Sequence, residues 1–302
     1  MNKGKAIAIL LRLPFLTVTI GAVLLGTAFA GWDKGQFRFL YFVLALLGSC
    51  FFHIATNVAN DYFDFKSGND AANLSKTTPF SGGSRMILEG FISARGALTV
   101  SVLFAALGSL LGLYLNFSIE GNAILIIGIL ALLFIYSYNG FPLRLVNKGL
   151  GELAIFLAWG PLIVAGSYYV QTGSFPSVWP FIVSIPSGVL TTLVLLINEF
   201  ADRDADASVG RKTWVILFGF KNSLRLYLGL ALLCYGVVVA GIILNHWPLW
   251  TLLVFLTLPL ALKAYKTGVR NLGDWTSFLA SVKATILLNF VFLVILSVCF
   301  WI

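Results

Sequence analysis

Nine apolar runs, each close to the roughly 20 residues a helix needs to cross the hydrocarbon core of a bilayer, constrain this chain more than any other feature. They lie near residues 7–30, 37–60, 97–116, 121–139, 152–170, 178–200, 224–244, 248–265 and 281–301. Only 11% of the 302 residues are charged, against roughly 25% in soluble domains. The chain therefore reads as an all-α integral membrane protein, 1–302 forming one transmembrane domain with no soluble domain attached. The first run is too long for a signal peptide and lacks a small-residue cleavage site, so it counts as a membrane helix. Cys50, Cys234 and Cys299 all fall inside apolar runs without metal-type spacing, and read as small hydrophobes.

Charge orders the nine helices. The N-terminal segment and the loops after the second, fourth, sixth and eighth runs carry nearly all of the 20 Lys and Arg, whereas the opposite face has only Lys34 and Arg38. The positive-inside rule then predicts a cytoplasmic N-terminus, cytoplasmic even-numbered loops and an external C-terminus. An eight-helix reading scatters these charges over both faces.

Seven of the twelve acids sit in two short segments at matching places, after the second and sixth runs. These are Asp61, Asp64 and Asp70 in NVANDYFDFKSGND, and Glu199, Asp202, Asp204 and Asp206 in NEFADRDADASVGRKT. Asn57, Asp61 and Asp64 follow i, i+4, i+7 spacing, and Asn60 with Asp64 and Asp202 with Asp206 follow i, i+4, so each set shares a helix face. Like charges at that spacing repel, and a hard divalent cation reverses the sign of that energy. Magnesium takes one or two carboxylates together with waters and phosphate oxygens. Two such clusters facing each other suit a diphosphate bridged by magnesium, with Arg85, Arg211 and Lys212 neutralising phosphate oxygens. The aromatic residues (26 Phe, 10 Tyr and 8 Trp) include a few able to stabilise an allylic cation, but most read as lipid-facing or packing groups. Trp179, Trp247, Trp250 and Trp301 fit an interfacial belt. His53, with no metal partner at suitable spacing, reads as a satisfied buried histidine. Pro14, Pro161 and Pro186 mark expected kinks or breaks.

A solvated charged helix end is the ordinary reading of one such segment. Two matched segments holding over half the acids favour a site instead. A divalent-cation transporter remains an alternative, although it predicts acids at mid-membrane depth. So does a catalytically silent lipid-binding or scaffold protein.

In these residues the chain resembles the UbiA superfamily of intramembrane prenyltransferases. Asn57, Asn60, Asp61 and Asp64, with Asp70 further on, are similar to the family's first motif. Asp202 and Asp206, followed by Lys212 in GRKT, are similar to its second, and Asn198 precedes them. The stretches NDYFDFKSGND, YSYNGFPLRL and GLGELAIFLAWGPL are similar to the 1,4-dihydroxy-2-naphthoate branch of menaquinone synthesis. The second loop reads more like the 4-hydroxybenzoate branch. Two positions depart from the pattern: Gly68 stands where a final Asp is usual, with Asp70 the substitute, and the lysine four residues after Tyr136 or Tyr138 is absent, with Arg144 the substitute.

The resemblance implies about nine helices around a central cavity open to lipid, capped by the loops 57–95 and 198–225 on the cytoplasmic side. It implies a magnesium-dependent prenyltransferase moving a polyprenyl chain from its diphosphate to an aromatic acceptor, in a bacterial or archaeal inner or plasma membrane. Asn57, Asn60, Asp61, Asp64, Asp202 and Asp206 are the expected metal holders, and Asp70 and Asn198 further candidates. Asp64, Asp202, Asp206 and Lys212 are the expected catalytic residues, Arg85, Arg211 and Lys212 the expected diphosphate contacts, and Tyr136, Tyr138 and Arg144 the expected acceptor contacts. The acceptor stays open between 1,4-dihydroxy-2-naphthoate, 4-hydroxybenzoate, homogentisate, a chlorophyll-type ring and glycerol phosphate. The expected partners are the polyprenyl diphosphate, the acceptor and membrane lipid, with no nucleic acid. Chain length and oligomeric state are not legible.

Overall fold

The computed structural model describes residues 3–73 and 83–302, and part of the first expected cap loop, including Lys76, lies outside the described residues. The described elements are all helical. A short helix α1 (Lys3–Leu10) and a 3-10 turn (Leu13–Phe15) precede α2 (Leu16–Lys34). There follow α3 (Phe39–Ser67), the single turn α4 (Asn69–Ala72), α5 (Ala94–Ser118) and α6 (Ala123–Ser137). Next come α7 (Gly151–Leu157), a π-helical stretch (Ala158–Ala165) and α8 (Gly166–Thr172), continuous as one rod. The chain ends with α9 (Trp179–Ser208), α10 (Trp214–Ile243), a 3-10 stretch (Leu249–Thr257), α11 (Leu258–Arg270) and α12 (Trp275–Cys299).

Eight of these helical rods are long and apolar enough to cross a bilayer. The ninth, α6, has only 15 residues, about 22 Å at 1.5 Å per residue and short of the ~30 Å hydrocarbon core. Its chain continues in turns over 138–143 and then a 3-10 helix (Leu145–Lys148), so the expected run 121–139 is helical over a shorter length. The first expected run is interrupted: Arg12 adopts a left-handed conformation (φ 51°, ψ 44°) and Pro14 sits in the turn that starts α2. The seventh run begins ten residues before its apolar stretch, at Trp214, and breaks at Gly219 (φ 73°, ψ 165°). Pro186 lies within α9 without ending it.

Local chemistry sets several ends. The Ser93 and Asp274 side chains accept the N–H of Gly96 and Ser277 and cap α5 and α12. Gly68 closes α3 in a left-handed conformation (φ 80°), which a residue with a Cβ adopts only at a cost. The departure from Asp at this position is therefore the helix stop, and it throws Asp70 beyond α3.

The faces turned outward are apolar: Leu103, Leu107 and Leu110 of α5 and Ile126, Ile129 and Leu133 of α6 are exposed, as lipid contact requires. Inside, small and hydroxyl residues set the helix spacing. Gly160 of the π stretch meets the Cα of Gly188 on α9, and a Cβ on Gly188 would reach within 2.6 Å of the Phe156 carbonyl. The π register around Pro161 would leave carbonyls without helical donors, and the Ser187 hydroxyl donates to the Trp159 carbonyl at 2.7 Å. Trp247 is buried against Gly241 instead of standing in an interfacial belt, because Gly241 leaves the room its indole fills.

Candidate active site

A cavity of about 320 Å³ runs between α2, α3, α5, α6, the α7–α8 rod and α9. Both Leu44 and Asp64 of α3 line it, and twenty residues of helix span about 30 Å, the depth of the bilayer core. The walls are apolar, with Phe52, Gly108, Leu115, Ile127, Phe134 and Leu162 among the lining groups. One end is polar, lined by Arg12, Asn60, Asp64, Tyr138, Asn198, Glu199, Asp202, Asp206 and Arg211.

The two acidic segments meet at that end. Arg211 joins them: its guanidinium pairs with Asp64 of α3 and, at 2.8 Å, with Asp206 of α9. Side-chain amides complete the junction. Asn60 donates to Asp64 (3.1 Å) and Asn69 to Asp206 (2.7 Å), while Asn139 donates to Asp64 (3.1 Å) and contacts the Asn60 amide oxygen. Asn73 donates to Asp202 (2.8 Å), and Arg85 donates to the Asn73 carbonyl (2.9 Å). Arg85 therefore stands one layer behind the acids, in a left-handed turn (φ 58°).

Burial moves the titrations. It opposes the charge on Arg211, but Asp64 and then Asp206 outweigh it and hold the guanidinium's pKa above its ordinary value. Burial, then repulsion from Asp64 and Asp61, together push the Asp70 carboxyl up to about 7 against the pull of Arg12 and Arg85. Burial, with the nearby Glu199 and Glu152, raises the Tyr138 phenol well above its ordinary range.

The expected site residues separate into two groups. Asn57, Asn60, Asp64, Asn198, Asp202, Asp206, Arg211 and Tyr138 line the cavity. The others do not. Asp61 is 1% exposed and faces Arg12 and the backbone N–H of Ser84 (3.2 Å). Asp70 is buried beside Gly83. Lys212 and Arg144 are exposed. The Tyr136 hydroxyl lies 3.4 Å from that of Ser101, which bonds the Ala55 carbonyl, at the junction of α3, α5 and α6.

Sequence reasoning passed over several groups here. Arg12 entered only the charge count, and Asn69, Asn139 and Glu199 carried no assigned role. Asn139 had a signal available, standing inside the Tyr-rich YSYNG stretch. His53 is held as expected: its Nδ1 lies 2.7 Å from the Thr19 hydroxyl, which also accepts the Trp159 indole N–H at 2.9 Å.

The donor set is one of hard oxygens. Buried oxygens of Asn198 and Glu199, which line the cavity, have no hydrogen-bond partner among the described residues, and neither do buried oxygens of Asn139 and Asp61 outside its lining. No three acidic, His or Cys side chains gather closely enough among the described residues to hold a metal alone. Magnesium needs only one or two carboxylates when waters and phosphate supply its remaining ligands, and the cavity-lining Asp64, Asp202 and Asp206 meet that need.

Comparison with known proteins settles the family. The model of the UbiA prenyltransferase family matches residues 19–291. The chain belongs to the UbiA prenyltransferase family. It is an integral membrane prenyltransferase. A 1,4-dihydroxy-2-naphthoate octaprenyltransferase of Bacillus subtilis is 32% identical over 276 residues, covering 89% of this chain and 84% of that protein. A 2-carboxy-1,4-naphthoquinone phytyltransferase of Synechocystis is 26% identical, covering 87% and 80%. Among solved structures, an apo UbiA homologue from Aeropyrum pernix superposes with a TM-score of 0.65 at 16% identity, covering 93% of this chain and 95% of that one. One from Archaeoglobus fulgidus, solved with DMAPP and Mg2+, gives 0.58 at 16% identity, covering 95% and 98%. These structural likenesses carry the fold.

Proposed function

We propose that this UbiA-family enzyme transfers a polyprenyl chain from its diphosphate to 1,4-dihydroxy-2-naphthoate, in menaquinone synthesis, with magnesium at the junction of α3 and α9. One observation carries the chemistry: carboxylates of both acidic segments converge on Arg211 at the mouth of a long apolar cavity. The relatives' names carry the acceptor.

In this reading Asp64, Asp202 and Asp206, with Asn60 and Asn198, hold the metal. Bound there, magnesium withdraws charge from the leaving diphosphate. Arg211 supplies a fixed cation to the same oxygens. The C–O bond to the first prenyl carbon breaks, its electron pair leaving with the diphosphate. The apolar walls keep water from the allylic cation. A ring carbon of the acceptor forms the new C–C bond, and for the naphthoate its carboxyl group departs as carbon dioxide. Tyr138, half-buried at the cavity's polar end, suits the orientation of the acceptor. The tail lies along the apolar length of the cavity.

The remaining expectations belong to the same proposal. The whole chain acts as one transmembrane domain. Its N-terminus and acidic loops face the cytoplasm and its C-terminus the outside, as the charge asymmetry favours. Lys212, Arg85 and Arg144 stand outside the cavity lining and act at most through neighbours.

The experiment is to incubate purified protein in detergent with magnesium, labelled polyprenyl diphosphate and either 1,4-dihydroxy-2-naphthoate or 4-hydroxybenzoate. Prenylated naphthoate is expected. Product from hydroxybenzoate alone overturns the acceptor, and metal-independent product overturns the magnesium role.

A further inference from the structure

The first motif does two jobs on one helix. Asn60 and Asp64 turn toward α9 and Arg211. Asn57 and Asp61, also one helical turn apart, turn toward the corner between α1 and α2. The Asn57 amide reaches the Leu11 carbonyl at 3.4 Å, and Asp61 pairs with the Arg12 guanidinium. Arg12 lines the cavity and Asp61 does not. Asp61 stands behind it, 1% exposed, with its Oδ1 accepting from both Arg12 and the Ser84 N–H.

The backbone shows that this corner is held against its preference. Arg12 is left-handed (φ 51°), a conformation that costs a non-glycine residue free energy and persists where surrounding contacts impose it. The opposite side is fitted as closely. Gly83 (φ 71°) passes so near that a Cβ there would lie 3.4 Å from Arg12 Nη2, 3.3 Å from Asp61 Oδ1 and 3.1 Å from Asp70 Oδ1. A guanidinium serving only to neutralise Asp61 has no need to face the cavity. A guanidinium with five donors, anchored through one edge, keeps the others for an anion.

We propose that Arg12 binds the substrate's diphosphate and that Asp61 and Asn57 are positioning residues that aim it, Asp61 serving as the anchor of an arginine and not as a metal ligand. This rests on the reading of the polar end as a diphosphate site. Arg12 and Arg211 then approach the diphosphate from the α1–α2 corner and from the end of α9, flanking the carboxylates that hold the metal.

The test compares Arg12→Gln, Arg12→Lys, Asp61→Asn, the Arg12→Gln/Asp61→Asn pair and Asp64→Asn, each as full-length protein in detergent. Binding of inorganic pyrophosphate with Mg2+ is measured by calorimetry, and Mn2+ binding without pyrophosphate by electron paramagnetic resonance. Losing one charge-assisted contact should weaken pyrophosphate binding about tenfold or more. Arg12→Gln and Asp61→Asn should each show that loss, and the double variant no further loss, because the two act as one unit. Arg12→Lys should recover part of it. Mn2+ binding should weaken in Asp64→Asn and stay at the wild-type level in Asp61→Asn. The inference is overturned if Asp61→Asn weakens Mn2+ binding as Asp64→Asn does, or if folded Arg12→Gln and Arg12→Lys bind pyrophosphate as the wild type does. A wild type that binds no pyrophosphate fails the underlying site reading instead.

Discussion

Replacing Arg211 with glutamine tests the junction of the two acidic segments most directly. The Arg211 side chain is 12% exposed, and its partners Asp64 and Asp206 are 7% and 4% exposed. Removing one partner of a buried ion pair costs about 3–5 kcal/mol, because the remaining charge is left uncompensated. Here two carboxylates lose the same cation, so the upper part of that range applies. At roughly 2–4 °C per kcal/mol for large domains, about 4–5 kcal/mol should lower the melting temperature by about 8–20 °C. The assay is a fluorescence thermal shift in detergent, with EDTA and then with millimolar Mg2+. In EDTA the variant should show the full loss. Magnesium should raise its melting temperature more than that of the wild type, since the cation's place between Asp64 and Asp206 has been vacated. Arg211→Lys should lie between the two. A variant that melts with the wild type in EDTA, or gains no more from Mg2+ than the wild type does, refutes the reasoning.

Further outcomes follow from other parts of the structure. Thr19→Val strips the shared hydroxyl from His53 and Trp159; it should cost about 1–3 kcal/mol in a thermal-shift assay, with Thr19→Ser close to wild type. Gly188→Ala drives a methyl into the Phe156 carbonyl and should cost about 1–3 kcal/mol. Gly112→Ala, where a Cβ meets nothing within 4 Å, should be neutral or stabilising by up to about 1 kcal/mol. In the transfer assay, Lys212→Ala should keep the donor KM within about twofold of wild type, whereas Arg211→Ala should raise it about tenfold or more. EDTA should abolish transfer and added Mg2+ restore it.

The helices were legible because bilayer thickness dictates apolar length, and that signal is strong over eight of the nine runs. It weakens at α6, where hydropathy continues past Ser137 while the backbone has already turned. It also missed the start of α10, because Trp214–Phe220 reads as loop between the acids and the next long run. The acidic clusters were legible from spacing, but spacing gives only a shared face. Asn57 and Asp61 are offset by about 60° from Asn60 and Asp64 around a helix of 3.6 residues per turn. That difference sends Asp61 to Arg12 and Asn57 to the Leu11 carbonyl, while Asp64 meets Arg211 with Asn60 bonded to it, and only the packed neighbours reveal it. Arg211 and Lys212 are adjacent, and sequence ranks them equally. The choice comes from the turn ending α9, where the Arg211 N–H bonds the Asp206 carbonyl at 3.0 Å while that of Lys212 bonds Val146. Arg12 was invisible because nothing local points from residue 12 to Asp61.

Asp64 is translated 147 residues before the arginine that neutralises it. At 5–20 residues per second the ribosome leaves that carboxylate waiting on the order of ten seconds or more. Through that interval the C-terminal end of α3 carries acids with no partner from α9, and the free energy of hydrating them holds that end at the aqueous boundary. The same carboxylates thus fix how deeply the growing hairpin enters the bilayer, well before there is a reaction for them to serve.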